Sequence, residues 1–191
     1  MKETVDRIQA WYKLNCNGDW EHNHGYSIAT LDNPGWTVRI DLRETCLENL
    51  NFSKNFQNPT YDLDWYQIKT DNNVLDIACG PENLKLVFEI FLDEIIPTYS
   101  DKEFHYDIYL PLSGHHLEIW TPAKATVVNE ETLKIVEIPR VEYGNIKVKD
   151  IGKVDFDQSD LEKMNLNFKV GEEIKVTLED TDFDLILASK K

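Results

Sequence analysis

Residues 16–42 read CNGDWEHNHGYSIATLDNPGWTVRIDL, and this stretch decides the fold of the first half of the chain. Apolar and polar residues alternate over residues 36–42, which is the period of a half-buried strand. Residues 26–29 show the same alternation. We therefore predict a hairpin with a type II turn around Asn33–Trp36, whose central residues are a proline and a glycine.

The segment before the hairpin, residues 17–24, is polar and has no apolar period. It carries one tryptophan among acids, asparagines and imidazoles. A polar loop beside a rigid hairpin is a common place for binding residues. An isolated large aromatic residue is also often buried, so Trp20 has two open interpretations, a contact residue or a core residue.

Two helices are predicted around this hairpin. Apolar spacing indicates a helix over Thr4–Leu14 with Thr4 as its cap. Pro81 suits the first position of a second helix, which is expected to end at Pro97. Further strands are predicted over Tyr61–Lys69 and Val74–Cys79, giving four antiparallel strands and an optional short edge strand before them.

The pattern of apolar and polar residues changes after Pro97. Short alternating runs separated by turn residues continue almost to the end of the chain, which is typical of a small barrel or sandwich. We therefore predict an α+β chain in two domains. Residues 1–97 form an antiparallel sheet flanked by two helices, and residues 98–191 form a mostly-β domain.

Composition excludes several classes of protein. The chain of 191 residues has a net charge of −15, and both halves are acidic: residues 1–97 carry 8 basic against 16 acidic side chains, and residues 98–191 carry 12 against 19. This charge argues against a nucleic-acid partner and suits a basic protein partner. We also expect no membrane partner, because no stretch is apolar enough to span a bilayer. Three widely spaced cysteines form no disulfide pattern and favour the cytoplasm.

Two further stretches join residues 15–42 in a specific resemblance. The run from Asn15 to Leu42, the triplet Asp64-Trp65-Tyr66 and the run Cys79-Gly80-Pro81-Glu82-Asn83-Leu84 resemble the immunity protein 53 family of bacterial polymorphic toxin systems. The resemblance covers about the first half of the chain. It implies a protein that binds and neutralises a cognate toxin. From the spacing of the candidate ligands we expect no metal and no cofactor.

We expect the toxin to contact an exposed polar surface, because charge steers association and a few anchors hold the complex. The hypothesis places this surface on residues of the loop and of the hairpin tip: Asp19, Trp20, Glu21, His22, His24, Asp32 and Asn33. Arg39 and Asp41 are second choices.

Other interpretations of the same residues stay open. Cys79 before a helix could act as a thiol nucleophile, and Glu21 with His22 could perform acid–base chemistry. Cys16 with two histidines lacks the spacing of a zinc site. The second half could be an independent module, which would make the chain a two-module adaptor.

The run from Val74 to Asn83 also resembles the first motif of methyltransferases that bind S-adenosylmethionine. It lacks the further glycines that allow a backbone to approach a cofactor. His115-His116 and the aspartates at 180, 182 and 184 do not have the spacing of a metal site.

Overall fold

The computed structural model describes residues 2–114, 118–140, 142, 146–148, 163–179 and 185–190. The chain divides into two compact units, Met1–Phe104 and His105–Lys191. The sequence pattern places the division after Pro97 instead. That the two units have separate roles stays a prediction. His115-His116 and the three aspartates at 180, 182 and 184 lie outside the described residues.

The first unit is an α+β structure, as predicted. Its five strands form an antiparallel sheet in the order β1-β2-β5-β4-β3, so β1 and β3 are the edges. The fifth strand, β3, is the short edge strand that the sequence left optional. The elements in chain order are α1 (Lys2–Asn15), α2 (Trp20–Asn23), β1 (Tyr26–Leu31), β2 (Gly35–Asp41), β3 (Ser53–Gln57), β4 (Trp65–Asp71) and β5 (Val74–Cys79).

Helices cover one face of this sheet. The central strands bury a continuous apolar layer, and the side chains concerned are at most 2% exposed: Val38, Ile40, Ile68, Leu75 and Ile77. Trp11 of α1 meets Phe91 edge to face, with ring centroids 5.4 Å apart. Arg7 pairs with Asp93 at 2.7 Å and ties the same two helices together at the surface. The helix α1 begins at Lys2, before the predicted cap Thr4, and Val5 is 47% exposed rather than buried.

The second helix starts later and ends later than predicted. It consists of α3 (Leu84–Glu89), a π-helical segment (Ile90–Ile95) and α4 (Ile96–Tyr99), so Pro97 lies inside it. In the π-helical segment the N–H of Ile96 donates to the carbonyl of Phe91, five residues back. A proline inside a helix has no N–H to donate and collides with the preceding turn. A wider π turn directly before Pro97 accommodates it, which is why the helix continues.

The turn of the first hairpin differs from the predicted type II turn. Leu31 pairs with Gly35, so the loop is Asp32–Pro34 and Gly35 already belongs to β2. Gly35 does not have the positive φ that a type II turn requires. A Cβ at this position would lie 2.4 Å from the carbonyl oxygen of Cys79 on the neighbouring strand. The glycine is therefore needed for close approach of two strands.

The second hairpin turns tightly at two asparagines. Asp71 pairs with Val74, and Asn72 and Asn73 between them have φ angles of 49° and 59°. Positive φ at both central residues is the signature of the type I′ turn that matches strand twist. The connection between the two strands is thus two residues long, whereas the predicted strands, ending at Lys69 and beginning at Val74, leave four residues between them.

The second unit is mostly β, as predicted. Antiparallel pairings connect β6 to β7, β7 to β8, β8 to β11 and β11 to β12, and β12 pairs in parallel with β6, which makes a closed circuit of strands. Its described strands are β6 (Tyr106–Ser113), β7 (Ile119–Asn129), β8 (Thr132–Glu137), β9 (Lys147–Val148), β10 (Asn165–Leu166), β11 (Glu173–Glu179) and β12 (Leu185–Lys190). Across the described part of both units, no helix has the length and apolarity needed to cross a bilayer.

Candidate functional site

The polar segment 17–24 contains the short helix α2, and side chains of this segment hydrogen-bond the backbone where the helix begins. The Asn17 side-chain oxygen accepts from the N–H groups of Asp19 and Trp20 at 3.0 and 2.9 Å. The Glu21 carboxylate accepts from the N–H groups of Asn17 and Gly18, each at 3.0 Å. Glu21 therefore closes a turn of the backbone. These bonds occupy the carboxylate that acid–base chemistry would need.

Trp20 is a core residue. It is 1% exposed, and its Nε1–H donates to the carbonyl oxygen of Arg43 at 2.9 Å. Its ring lies against Tyr12 and His24, with centroid distances of 6.0 and 6.1 Å. Of the two interpretations of this tryptophan, the structure supports burial. It has almost no surface to offer to a partner.

His24 and Asp41 form a partly buried charged corner with Arg43. His24 Nδ1 lies 3.3 Å from Asp41 Oδ2, and the side chain and backbone of Arg43 donate to the same carboxylate. Burial acts to raise the pKa of Asp41, but the hydrogen bonds from Arg43 and His24 outweigh it and lower that pKa. His24 Nε2 also lies 3.7 Å from Glu44, whose side chain is 64% exposed. This corner joins α2 to the end of β2.

The structure separates the predicted contact residues into two groups. Asp19 and His22 are exposed on α2, near the end of β1 where Gly25 pairs with Asp41. Asp32 and Asn33 are exposed at the hairpin tip, at the other end of β1. A strand of this length spans roughly 20 Å. The two groups therefore flank β1 and do not form one patch.

The second-choice residues are held in ion pairs. Arg39 Nε lies 2.9 Å from Asp76 Oδ1 on β5, across the sheet face that the helices do not cover. Asp41 belongs to the corner described above.

Asp64 lies just before β4, at the end of the sheet opposite the charged corner of His24, Asp41 and Arg43. Its role in the structure was not predicted from the residue pattern. Its carboxylate accepts from the side-chain amides of Asn58 and Asn83, at 2.8 and 2.9 Å. These hydrogen bonds lower the pKa of Asp64. The β3–β4 loop, which carries Asn58 and Asp64, is thereby closed on itself and joined to the segment between β5 and α3 that carries Asn83. Only the family resemblance singled out Asp64, because long-range pairing of amides leaves no periodic signal in a sequence.

The run after β5 has a structural explanation as well. A Cβ on Gly80 would lie 1.8 Å from the carbonyl oxygen of Leu63, and Gly80 N–H donates to Trp65 O at 2.9 Å. Trp36 Nε1–H donates to the carbonyl oxygen of Pro81 at 3.0 Å. The glycine that resembles a cofactor motif is needed here so that two loops can approach each other.

Cys79 is unsuited to nucleophilic chemistry. Its side chain is fully buried, and burial raises the pKa of the thiol to about 11. A reactive cysteine needs an accessible thiolate, which a lowered pKa supplies. Cys79 behaves as a small apolar core residue.

Other chemical sites were sought over the same described ranges. No group of three or more histidine, cysteine or acidic side chains there is arranged to hold a metal ion. A shallow polar depression lies beside the β4–β5 turn and is lined by Asn49, Leu50, Asn51, Thr70, Asp71, Asn72 and Asn73. Its lining is mainly amide and hydroxyl groups.

Fold and site together describe an α+β unit whose polar residues mostly support the structure and whose exposed groups flank an edge strand. The family model described as immunity protein 53 matches residues 5–95. This match confirms that the first half of the chain resembles that family, and it supports an immunity function in general. Comparison with curated proteins and with solved structures found no match.

Proposed function

We propose that this protein is an immunity protein that neutralises a cognate bacterial toxin by forming a complex with it. The observation that carries this proposal is the family match over residues 5–95, which falls inside the unit Met1–Phe104. Binding without catalysis agrees with the buried thiol of Cys79 and with the structural use of Glu21. The three cysteines are free and buried, which suits work in a reducing cytoplasm.

The proposed toxin is basic. The chain carries a net charge of −15, and exposed acids lie at both ends of β1, with Asp19 and Glu44 at one end and Asp32 at the other. Charge of one sign on a protein surface steers a partner of the opposite sign and raises the association rate. Rapid association favours an antidote that must act before a toxin damages the cell.

Within this proposal the seven predicted residues have different tasks. Asp19 and His22 at one end of β1, and Asp32 and Asn33 at the other, are exposed and contact the toxin. The remaining three, Trp20, Glu21 and His24, hold α2 and the charged corner in place.

Co-expression with the toxin-like protein encoded beside this gene tests the proposal. The full chain is expected to protect cells and to co-purify with that protein. Asp32→Asn combined with Asp19→Asn should slow association severalfold at low salt, because two steering charges are removed. Asp62→Asn combined with Asp71→Asn, which also removes two exposed acids but not beside β1, is the matched control and should have less effect. A full chain that neither protects nor co-purifies would contradict the proposed function.

The second unit lies outside the matched range. That residues 98–191 are a separate module and make the chain a two-module adaptor stays a prediction. Full-length chains with paired substitutions on one unit at a time would show which unit the toxin needs.

A further inference from the structure

The edge strand β1 lacks the devices that usually protect a sheet edge. Its sequence, YSIATL, has no charged residue and no proline, and its pairing with β2 runs without a bulge. The four central residues, 27–30, are all exposed, and Ile28 is 44% exposed. Natural proteins usually guard an open edge with charge, proline, a bulge or a cover. An edge without these protections is ready to pair with another strand.

The register shows which backbone groups of β1 are free to pair. Asp41 N–H donates to Gly25 O at 2.9 Å, so Gly25 and Asp41 form a hydrogen-bonded pair. Such pairs alternate along an antiparallel ladder. The N–H and C=O groups of Ser27, Ala29 and Leu31 therefore point to β2, and those of Tyr26, Ile28 and Thr30 point outward. None of the backbone hydrogen bonds recorded among the described residues reaches these outward groups.

Charge identifies the kind of strand that fits. The added strand would lie between Asp32 at one end of β1 and the acids Asp19 and Glu44 at the other. If two copies of this chain paired through β1 in antiparallel orientation, Asp32 of each copy would lie near Asp19 and Glu44 of the other. With a net charge of −15 on each copy, this arrangement is repulsive. A segment with basic residues at both ends and an apolar residue beside Ile28 is favoured.

We propose that β1 binds an extended, basic segment of the toxin as an added strand of the sheet. Main-chain hydrogen bonds to Tyr26, Ile28 and Thr30 supply the affinity, and the contact over Ile28 with the flanking acids supplies the selection. This inference rests on the proposed function, since it names the mode by which the toxin is held.

A proline substitution tests the backbone directly. Ile28→Pro removes an outward N–H that β2 does not use, and proline is tolerated on an edge when its missing N–H faces solvent. Ile28→Ala keeps the N–H and removes only the apolar contact. Asn55→Pro is the matched control on the other edge, because Phe52 O accepts from Thr70 N–H and Asn58 N–H donates to Asp64 O, which leaves the N–H of Asn55 facing outward.

The probe is a synthetic peptide of alternating valine and threonine with lysines at both ends. We expect it to bind the full chain and to slow hydrogen exchange at Ile28 and Thr30. Ile28→Pro should weaken binding about tenfold, Ile28→Ala less, and Asn55→Pro less than about twofold. Circular dichroism and thermal unfolding verify that each variant is folded. A peptide that binds equally with glutamates at its ends, or equally to Ile28→Pro, would overturn the proposal. Dimerisation of the chain through β1 would also overturn it.

The same variants with the toxin-like protein separate the two proposals. A wild-type chain that fails to bind or protect contradicts the proposed function, while the peptide result still decides the role of the edge. A wild-type chain that protects, together with an Ile28→Pro variant that protects equally well and binds equally tightly, leaves the immunity function standing and rejects the edge.

Discussion

One edge of the N-terminal sheet, β3, carries devices that discourage pairing with another strand, and the other edge, β1, does not. At β3 a lysine lies on the face that the helices cover, since Lys54 pairs in register with the buried Ile68, and it forms an ion pair with Glu94. An inward-pointing charge and a short strand both discourage an edge strand from pairing with a strand of another chain. At β1 the corresponding positions hold Ile28 and Thr30, which are exposed and uncharged.

Because of this difference, a partner can bind at β1 without disturbing the residues that stabilise the fold. The apolar layer is centred on β2, β5 and β4, and the helix-facing residue in the middle of β1 is still 44% exposed. β1 therefore contributes little side-chain burial, and its outer surface is open to a partner. Two structures hold the ends of β1 in place. These are α2 with the charged corner at one end and the Asp32–Pro34 turn at the other.

The largest expected loss of stability comes from Trp20 in α2, and not from the exposed residues of β1. Trp20→Ala removes a fully buried indole and its hydrogen bond to Arg43 O, and is expected to cost about 3–5 kcal/mol of unfolding free energy. Ile28→Ala, on the exposed middle of β1, should cost less than about 1 kcal/mol. Urea denaturation followed by tryptophan fluorescence and circular dichroism measures both. Equal losses would mean that β1 is part of the core and that the edges do not differ as described.

The next effect tests the centre of the sheet against its edge. Gly35→Ala places a Cβ 2.4 Å from the Cys79 carbonyl oxygen, so β2 and β5 must move apart. We expect a loss of about 1–3 kcal/mol. Thr37→Ala, two residues along the same strand on the uncovered face, is the control and should change stability by less than about 1 kcal/mol. Thermal unfolding compares the two, and an unaffected Gly35→Ala would contradict the close approach.

A smaller effect comes from the charged corner at the foot of β1. The pKa of Asp41 is lowered in the folded chain, so its contribution to stability is complete above the ordinary aspartate pKa of about 3.9 and is lost as the pH falls through the lowered value. In wild type, protonation of Asp41 at low pH should lower the unfolding free energy by at most about 1 kcal/mol, because the group is only partly buried. Asp41→Asn should abolish this part of the decrease. Unfolding curves followed from neutral pH to well below the ordinary aspartate pKa of about 3.9 test this prediction. Asp32→Asn at the exposed tip is the control, and an equal flattening in both variants would contradict it.

The smallest effect removes the guard from the other edge. Lys54→Thr leaves β3 uncharged and breaks the ion pair with Glu94, so the two edges become alike. We expect weak self-association at high protein concentration and high salt, where the net charge is screened. Sedimentation velocity would detect it. A variant that stays monomeric while binding the lysine-flanked peptide only through β1 would show that Lys54 is not the guard.

The sequence predicted the parts of this fold that depend on periodicity. Alternation located β2, and helical spacing predicts an apolar stripe in which every member except the half-buried Leu84 is buried: Leu84, Phe88, Phe91, Leu92 and Ile95. The edge strand β3 was only an option, because SKNFQ buries too little to alternate. Pro97 was read as a helix end, since nothing in a sequence shows that a π-helical segment will make room for it.

The candidate site was harder to predict for a physical reason. Gly35 was assigned to a turn, yet it is required by a neighbouring strand that lies far away in the sequence. Trp20 and Glu21 have the residue types of a contact surface but serve the structure, and only three-dimensional hydrogen bonding distinguishes these roles. The openness of β1 depends on what lies beside it in space.

Hydrogen exchange of the full chain, with and without the toxin-like protein encoded beside it, is the direct test of strand addition at β1. We predict a complex in which the amides of Ile28 and Thr30 become protected while those of Ser53 and Asn55 exchange as before. Protection confined to residues 105–190, or no complex at all, would contradict it.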